Sequence, residues 1–167
     1  ETDAQRRRFL ETAVLEQFNG PLVDAVTDTS GGASWLLETA RTNQLVIGLD
    51  NTGTWYRYHH LLRDLLRLEA REVLAPEHLT ELHHRAAGWF ESEGDPLRAI
   101  GHRLAADEHE AAVRLMYVLG PQLISNGQID TLRSLLERIG DPATRDPACA
   151  LTWGWCDYIG GHYVPSS

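Results

Sequence analysis

Three glycines in the second half of the chain fall at equal intervals, and this spacing restricts the fold more than any other feature. Gly94, Gly127 and Gly160 are each 33 residues apart. A period of 33 is close to the roughly 34 residues of helical-hairpin repeats, in which a glycine closes the first helix of each pair. The same offset relates three sets of positions with helical spacing: Leu82, Ala86 and Phe90; Leu115, Leu119 and Leu123; and Ala148, Thr152 and Cys156. We therefore predict helical-hairpin repeats over residues 76–167.

This repeat predicts helical hairpins whose first helices lie near residues 77–93, 110–126 and 146–159, with no strand after residue 76. Between the second and third, IDTLRSLLERIG places five apolar residues on one helical face: Ile129, Leu132, Leu135, Leu136 and Ile139. The third unit looks incomplete after GGHYVPSS, and a solenoid buries each repeat against the next one. We therefore expect an exposed apolar face around Leu151, Trp153 and Trp155, and self-association through it.

The first half of the chain reads as three helices followed by a β-hairpin. RRRFLETAVLEQF has apolar residues at helical spacing as far as Phe18, and Asn19-Gly20 is expected to end this first helix. Pro21 opens a second helix, PLVDAVTD, and ASWLLETARTN follows as a third after the TSGG break. QLVIGLD and TWYRYH are strand-like, and Asn51-Thr52-Gly53 between them suits a turn completed by a left-handed glycine. This order of elements predicts a winged helix over residues 1–75.

A fourth amphipathic helix follows the hairpin directly. It is predicted from His60 to about Val73, and its apolar stripe consists of Leu61, Leu62, Leu65, Leu66 and Leu68. The fold class is therefore mainly α, with a winged-helix module followed by the helical repeat region.

The charge of the chain argues against nucleic-acid binding. The formal net charge is −9, all 15 basic residues are arginines, and neither half is basic, whereas nucleic-acid binding depends largely on neutralising phosphates. The third helix of the winged helix offers one arginine and one glutamate, and the predicted wing carries Asp50. Two alternatives stay open: a DNA-binding winged helix with a helical dimerisation arm, and a pure protein-interaction scaffold.

The sequence contains none of the common catalytic or metal-binding motifs. A Walker motif is excluded because the chain has no lysine, and H-E-x-x-H, G-x-S-x-G and C-x-x-C do not occur. Cys149 and Cys156 lie seven apart, which fits neither a disulfide on one helix nor a zinc site, so we expect two buried core thiols. Neither adjacent histidine pair, at 59–60 and 83–84, forms a chelate by itself. We therefore predict that this chain is not an enzyme and binds no metal.

The first residues, ETDAQRRRFLE, lack the apolar run of a secretory signal, and no stretch approaches the roughly 18 apolar residues of a membrane helix. We therefore expect a cytoplasmic protein without a membrane partner.

Residues from about Arg8 to Met116 resemble the middle of MalT-like, LuxR-type transcriptional regulators, which are large signal-transduction ATPases of the STAND class. The most specific parts are WYRYHHLLRDLL and the AAGWFESEGD block after it. The resemblance implies that the winged helix closes a nucleotide-binding region. It implies further that residues 76–167 are the start of a tetratricopeptide-like α-helical superhelix, which receives an inducer or a protein. It also implies a P-loop ATPase domain before Glu1 and a DNA-binding helix-turn-helix beyond Ser167. The fragment would then hold no cofactor itself, and ATP or ADP would belong to the parent protein.

The resemblance also assigns a role to His59. Plant resistance proteins and apoptotic protease-activating factors share this module, and in them Met-His-Asp precedes a helix that begins LLRDL. Their histidine reaches the β-phosphate of ADP and holds the off state. Tyr58-His59-His60 occupies the same place here, but His60 replaces the aspartate, so the implied phosphate role concerns His59. A histidine at a helix start also lies beside unpaired N–H groups that favour an anion. In this chain alone, we expect His59 to be partly exposed and to bind no nucleotide.

Overall fold

A computed structural model describes residues 2–42, 45–50 and 53–159 of the chain. Within these residues the protein is mainly α, as predicted, with one two-stranded antiparallel sheet. The elements in chain order are α1 (Asp3–Thr12), α2 (Gly20–Thr27), α3 (Gly32–Thr42), β1 (Val46–Gly48), β2 (Tyr56–Tyr58), α4 (His60–Val73), α5 (Pro76–Ser92), α6 (Pro96–Ala105), α7 (His109–Ser125), α8 (Ile129–Ile139), α9 (Asp141–Arg145) and α10 (Pro147–Ile159). No described helix is both long and apolar enough to cross a membrane.

The chain divides into two compact units, which are Glu1–Trp89 and Phe90–Ser167. The boundary predicted after Ala75 falls between α4 and α5, whereas the first compact unit also contains most of α5. The domain boundary after Ala75 therefore stays a prediction.

The first helix is shorter than the sequence predicted. A capping box between Thr2 and Gln5 starts α1, but the helix ends at Thr12 instead of continuing to Phe18. Phe18 forms an isolated antiparallel β-bridge with Tyr56. Its N–H donates to the carbonyl of Tyr56 at 2.9 Å, and the N–H of Tyr56 donates to the carbonyl of Phe18 at 2.8 Å. The side chain of Asn19 accepts a hydrogen bond from the N–H of Leu22 and so caps the start of α2. The prediction that Asn19-Gly20 ends the first helix was therefore wrong.

The second and third helices approach each other closely at two glycines. A Cβ atom on Gly32 would lie 2.5 Å from the carbonyl oxygen of Gly20, and one on Gly20 would lie 2.7 Å from the Cβ of Ala33. The apolar face predicted for α2 is confirmed because Leu22, Val23 and Val26 are fully buried. In α3 the buried apolar residues are Trp35 and Leu36, whereas Leu37 is exposed.

Replacing Gly32 by alanine is expected to lower the free energy of unfolding by about 1–3 kcal/mol, because the new methyl group meets backbone atoms that must move. Gly88→Ala is the matched control: Gly88 lies in α5, is exposed, and has open space around its Cα. That substitution should stabilise the helix by about 0.5–1 kcal/mol. Urea unfolding of both variants gives the comparison, and a Gly32→Ala protein as stable as wild type would show that α2 and α3 can separate freely.

The two strands of the hairpin lie within the two segments that were predicted as strands. β1 and β2 pair antiparallel with Val46 opposite Tyr58 and Gly48 opposite Tyr56. Gly53 has a φ of +65°, in agreement with the predicted left-handed glycine. Asn51 and Thr52 lie outside the described residues, so the turn type stays a prediction. The carboxylate of Asp50 accepts hydrogen bonds from the backbone N–H groups of residues 54 and 55, so an acidic side chain organises this loop.

The bounds of α4 agree with the prediction, but its leucine stripe does not face one core. Leu66 and Ala70 are buried on the face that packs against α1, whereas Leu61, Leu65 and Leu68 are exposed. These five residues lie on more than one side of the helix, and α1 covers one side. Of the predicted apolar stripe, Leu66 is therefore buried, Leu62 is half-buried, and the other three leucines are exposed.

The predicted first helices of the repeats agree with α5, α7 and α10, and no strand follows β2 in the described residues up to 159. Gly94 and Gly127 follow α5 and α7 and have φ values of +73° and +69°. Gly160 lies outside the described residues. The apolar face predicted for α8 is confirmed: Leu132, Leu135, Leu136 and Ile139 are buried and Ile129 is partly buried.

The 33-residue register holds only in part in the third unit. Cys156, 33 residues after the buried Leu123, is buried as the register requires. Thr152 is only half-buried where Leu119 is buried, and Ala148 is exposed where Leu115 is half-buried. The thiols of Cys149 and Cys156 are both buried, as predicted, and neither is part of a disulfide. Burial, together with the nearby Asp146, raises the pKa of Cys149 to about 11.

An apolar face on α10 agrees in part with the prediction. Leu151 is 77% exposed and Trp155 is 47% exposed. Trp153, expected on the same face, packs instead against the core that α10 forms with α7 and α8.

Candidate functional site

The junction between β2 and α4 is the candidate site, and the strand before it is firmly anchored. Tyr58 is buried, and its hydroxyl lies 2.6 Å from the Oγ1 of Thr12 on α1. Its ring centroid lies 4.7 Å from that of Phe18, and burial raises the pKa of Tyr58 far above its usual value. The backbone N–H of His59 then donates to the carbonyl of Leu45 at 2.6 Å. The main chain at His59 is therefore held from two sides.

The side chain of His59 makes no hydrogen bond with the described part of the chain. His59 is the N-cap residue of α4, yet its imidazole makes no capping hydrogen bond. Its Nδ1 atom is buried and has no hydrogen-bond partner. The ring is half-buried overall, and its centroid lies 4.3 Å from that of the exposed His60 ring. The expected partial exposure of His59 is confirmed, and an imidazole that caps the helix is excluded.

Arg63 lies one helical turn beyond His59, with its N–H donating to the His59 carbonyl at 3.0 Å. Its Nε atom is also buried without a hydrogen-bond partner, although it forms a long ion pair of 3.7 Å with a carboxylate oxygen of Asp64. Arg63 was not among the site residues predicted from the sequence. Its spacing of four from His59 was the available signal, because residues four apart are neighbours on a helix surface.

The start of α4 has the electrostatics of an anion site. Its first turn contains no acidic residue, and no side chain caps its backbone N–H groups. Unpaired N–H groups and the helix dipole place partial positive charge at such a terminus. The junction thus combines two buried nitrogen atoms that lack a hydrogen-bond partner, Nδ1 of His59 and Nε of Arg63, with uncapped backbone N–H groups. All of them belong to about one helical turn.

The second histidine pair behaves differently. His83 is half-buried and His84 is exposed, and burial lowers the pKa of His83 to about 4. Across residues 2–42, 45–50 and 53–159, no group of three or more histidine, cysteine or acidic residues could hold a metal ion.

The chain matches a known family over the first part of its length. Residues 2–79 match the family model described as the MalT winged helix domain. The matched segment begins at the N-cap of α1, ends within α5, and contains the whole β2–α4 junction.

Proposed function

We propose, from the match of residues 2–79 to the MalT winged helix domain, that the chain is the regulatory middle part of an ATP-dependent, LuxR-type regulator of the STAND class. In this proposal the winged helix closes the nucleotide site of an ATPase domain that precedes it. The helical region receives an inducer or a protein, and a separate helix-turn-helix contacts DNA in the cytoplasm. The chain itself catalyses no reaction and contributes to nucleotide binding only together with the ATPase domain.

The unpaired Nδ1 of His59 is the observation that carries this proposal. A buried polar group without a partner costs about 1–3 kcal/mol, so an acceptor from outside the chain would relieve that cost. A phosphate oxygen is a suitable acceptor, since the Nε of Arg63 and the uncapped N–H groups of α4 lie in the same turn. The site supplies several donors and no carboxylate in the first turn, which favours a phosphate over a cation.

The helical region supports the part of the proposal that concerns inducer or protein binding. α5 and α7 are both 17 residues long, and each is followed by a left-handed glycine. In repeat proteins, helical pairs such as α7 and α8, which pack together here, build extended binding surfaces. The exposed Leu151 and Trp155 add apolar surface to α10.

A DNA-reading winged helix has less support. The exposed side of α3 carries Leu37, Glu38 and Arg41, and the hairpin loop is organised by the carboxylate of Asp50. Direct readout in the major groove relies on several donors on the reading helix, together with cations for the phosphates. Nothing on this helix favours such a role.

We expect His59→Ala to loosen ADP binding by about 10-fold to 100-fold in the full-length regulator, because one hydrogen bond to a charged phosphate contributes about 1.5–3 kcal/mol. The resting population should then shift toward the ATP-competent form, since ADP holds the inactive form in this proposal. ADP dissociation kinetics and inducer-free transcription are the two measurements, and transcription without inducer should rise.

His60→Ala is the matched control for this experiment, because His60 is adjacent, exposed, and stacked on the same ring. It should change ADP affinity much less than His59→Ala does. If ADP affinity is unchanged in the His59 variant while its melting temperature falls, His59 only stabilises the fold at this junction. The proposal then loses its main support.

A further inference from the structure

A second site in the first unit lies apart from the β2–α4 junction. It is a pocket of about 580 Å³, within the usual range for small-molecule sites. Its lining comes from α1, from the end of α2 and the turn after it, from α3 and from α5, and includes Arg7, Arg8, Glu11, Trp35, His78 and Arg85. None of residues 59–63 lines it, so the pocket is separate from the proposed nucleotide contact.

The lining is cationic although the chain as a whole is acidic. Three arginines and two carboxylates, those of Glu11 and Asp28, line the pocket in a chain whose formal net charge is −9. One of these arginines, Arg85, is paired with Glu81 outside the lining, at 2.7 Å from its Nε. Such a local reversal of charge attracts anions from solution and disfavours cations.

A buried carboxylate organises part of this lining. The side chain of Glu11 is only 8% exposed, and its Oε1 accepts a hydrogen bond from the Nε of Arg7 at 2.8 Å. The same oxygen lies 2.9 Å from the Nε2 of His78. Glu11 therefore fixes the positions of Arg7 and His78 and neutralises only part of the positive charge around it.

The arginines keep donors that the structure does not use. An arginine has five N–H donors. Arg7 uses its Nε on Glu11, and Arg8 uses its Nη2 on the Thr29 hydroxyl and the Ser30 carbonyl. The guanidinium of Arg8 also lies 5.6 Å from the Trp35 ring centroid, which restricts its orientation. Within the described residues, both terminal nitrogens of Arg7 have no hydrogen-bond partner.

We propose that this pocket binds a small organic oxyanion, a carboxylate or a phosphate ester, with Arg7 and Arg8 as its main contacts. Arginine forks pair with either group through two parallel hydrogen bonds. Trp35 and the aliphatic parts of the arginine side chains contact the organic portion of the ligand. This proposal does not depend on nucleotide binding at His59, and it gives the winged helix an effector site of its own.

The test uses the chain itself with three probes at matched ionic strength: inorganic phosphate, glycerol 3-phosphate and succinate. Calorimetric titration, with tryptophan fluorescence as a second readout, should show saturable binding of at least one probe. Binding of the two phosphates alone identifies a phosphate site, and binding of succinate alone identifies a carboxylate site. The double variant R7Q/R8Q should bind that probe at least about 10-fold more weakly, because two charge-assisted contacts are lost.

Arg41→Gln is the matched control, since Arg41 is exposed on α3 and does not line the pocket. It should bind the probe as tightly as wild type. Should R7Q/R8Q lose helical signal in circular dichroism, R85Q replaces it, because Arg85 lines the same pocket from α5. Absence of saturable binding for all three probes, or equal affinity in wild type and the folded pocket variant, would overturn the proposal.

Discussion

Replacing Phe18 by alanine is expected to lower the free energy of unfolding by about 3–5 kcal/mol, the largest effect of any single substitution considered. Phe18 is fully buried, and its ring packs against the ring of Tyr58. Its backbone is held by two hydrogen bonds to Tyr56, so the chain cannot easily move into the cavity that the variant leaves. The measurement is urea unfolding followed by circular dichroism.

Leu37→Ala is the control for the Phe18 experiment, because Leu37 is a large apolar residue in the same unit that is 54% exposed. It should change stability by about 0.5 kcal/mol or less. A similar small loss for Phe18→Ala would mean that the segment between α1 and α2 is not part of the core.

The second large effect is a loss of stability at low pH that originates at His83. Burial first, and the nearby charge of Arg67 second, lower the pKa of His83 in the folded chain to about 4, from 6.5 for an unperturbed histidine. Between these two values the unfolded chain binds the proton and the folded chain does not, so the stability falls as the pH drops from about 6.5 and levels off near 4. At about 1.4 kcal/mol per pKa unit, the loss is about 3 kcal/mol.

His83→Gln removes this titrating group and isolates its contribution from those of the carboxylates. The slope of unfolding free energy against pH between 6.5 and 4 should be shallower in this variant than in wild type. His84→Gln, at the exposed neighbouring position, is the variant with which His83→Gln is compared. Identical slopes in wild type and His83→Gln would show that His83 accepts a proton in the folded state as easily as in the unfolded chain.

Elements defined by local pattern could be predicted from the sequence. The bounds of α4 followed from the change at His60 from strand-like residues to leucines at helical spacing. Those of α5 and α7 followed from the glycine spacing. The end of α1 could not be predicted this way, because apolar residues continue at helical spacing to Phe18. Pairing of Phe18 with Tyr56, 38 residues later in the chain, overrides that local signal.

The two sites differ in the same respect. His59 and Arg63 lie within five residues of one another, so a short segment of the sequence includes both residues of the β2–α4 junction. The pocket around Glu11 draws on residues from α1 to α5, and no spacing in the sequence relates Arg7 to Arg85. The split of the α4 leucines between buried and exposed faces is equally non-local, because it depends on where α1 packs.

The anchoring of Tyr58 has a mechanical consequence for His59. The hydroxyl of Tyr58 ties the end of β2 to Thr12 on α1, while the carbonyl of His59 accepts the first backbone hydrogen bond of α4. A strand fastened in this way is stiff, so a force applied to the imidazole cannot be absorbed by local bending at residue 59. It would instead move α1, β2 and α4 together, so that a displacement of the His59 side chain would rotate the winged helix as one body.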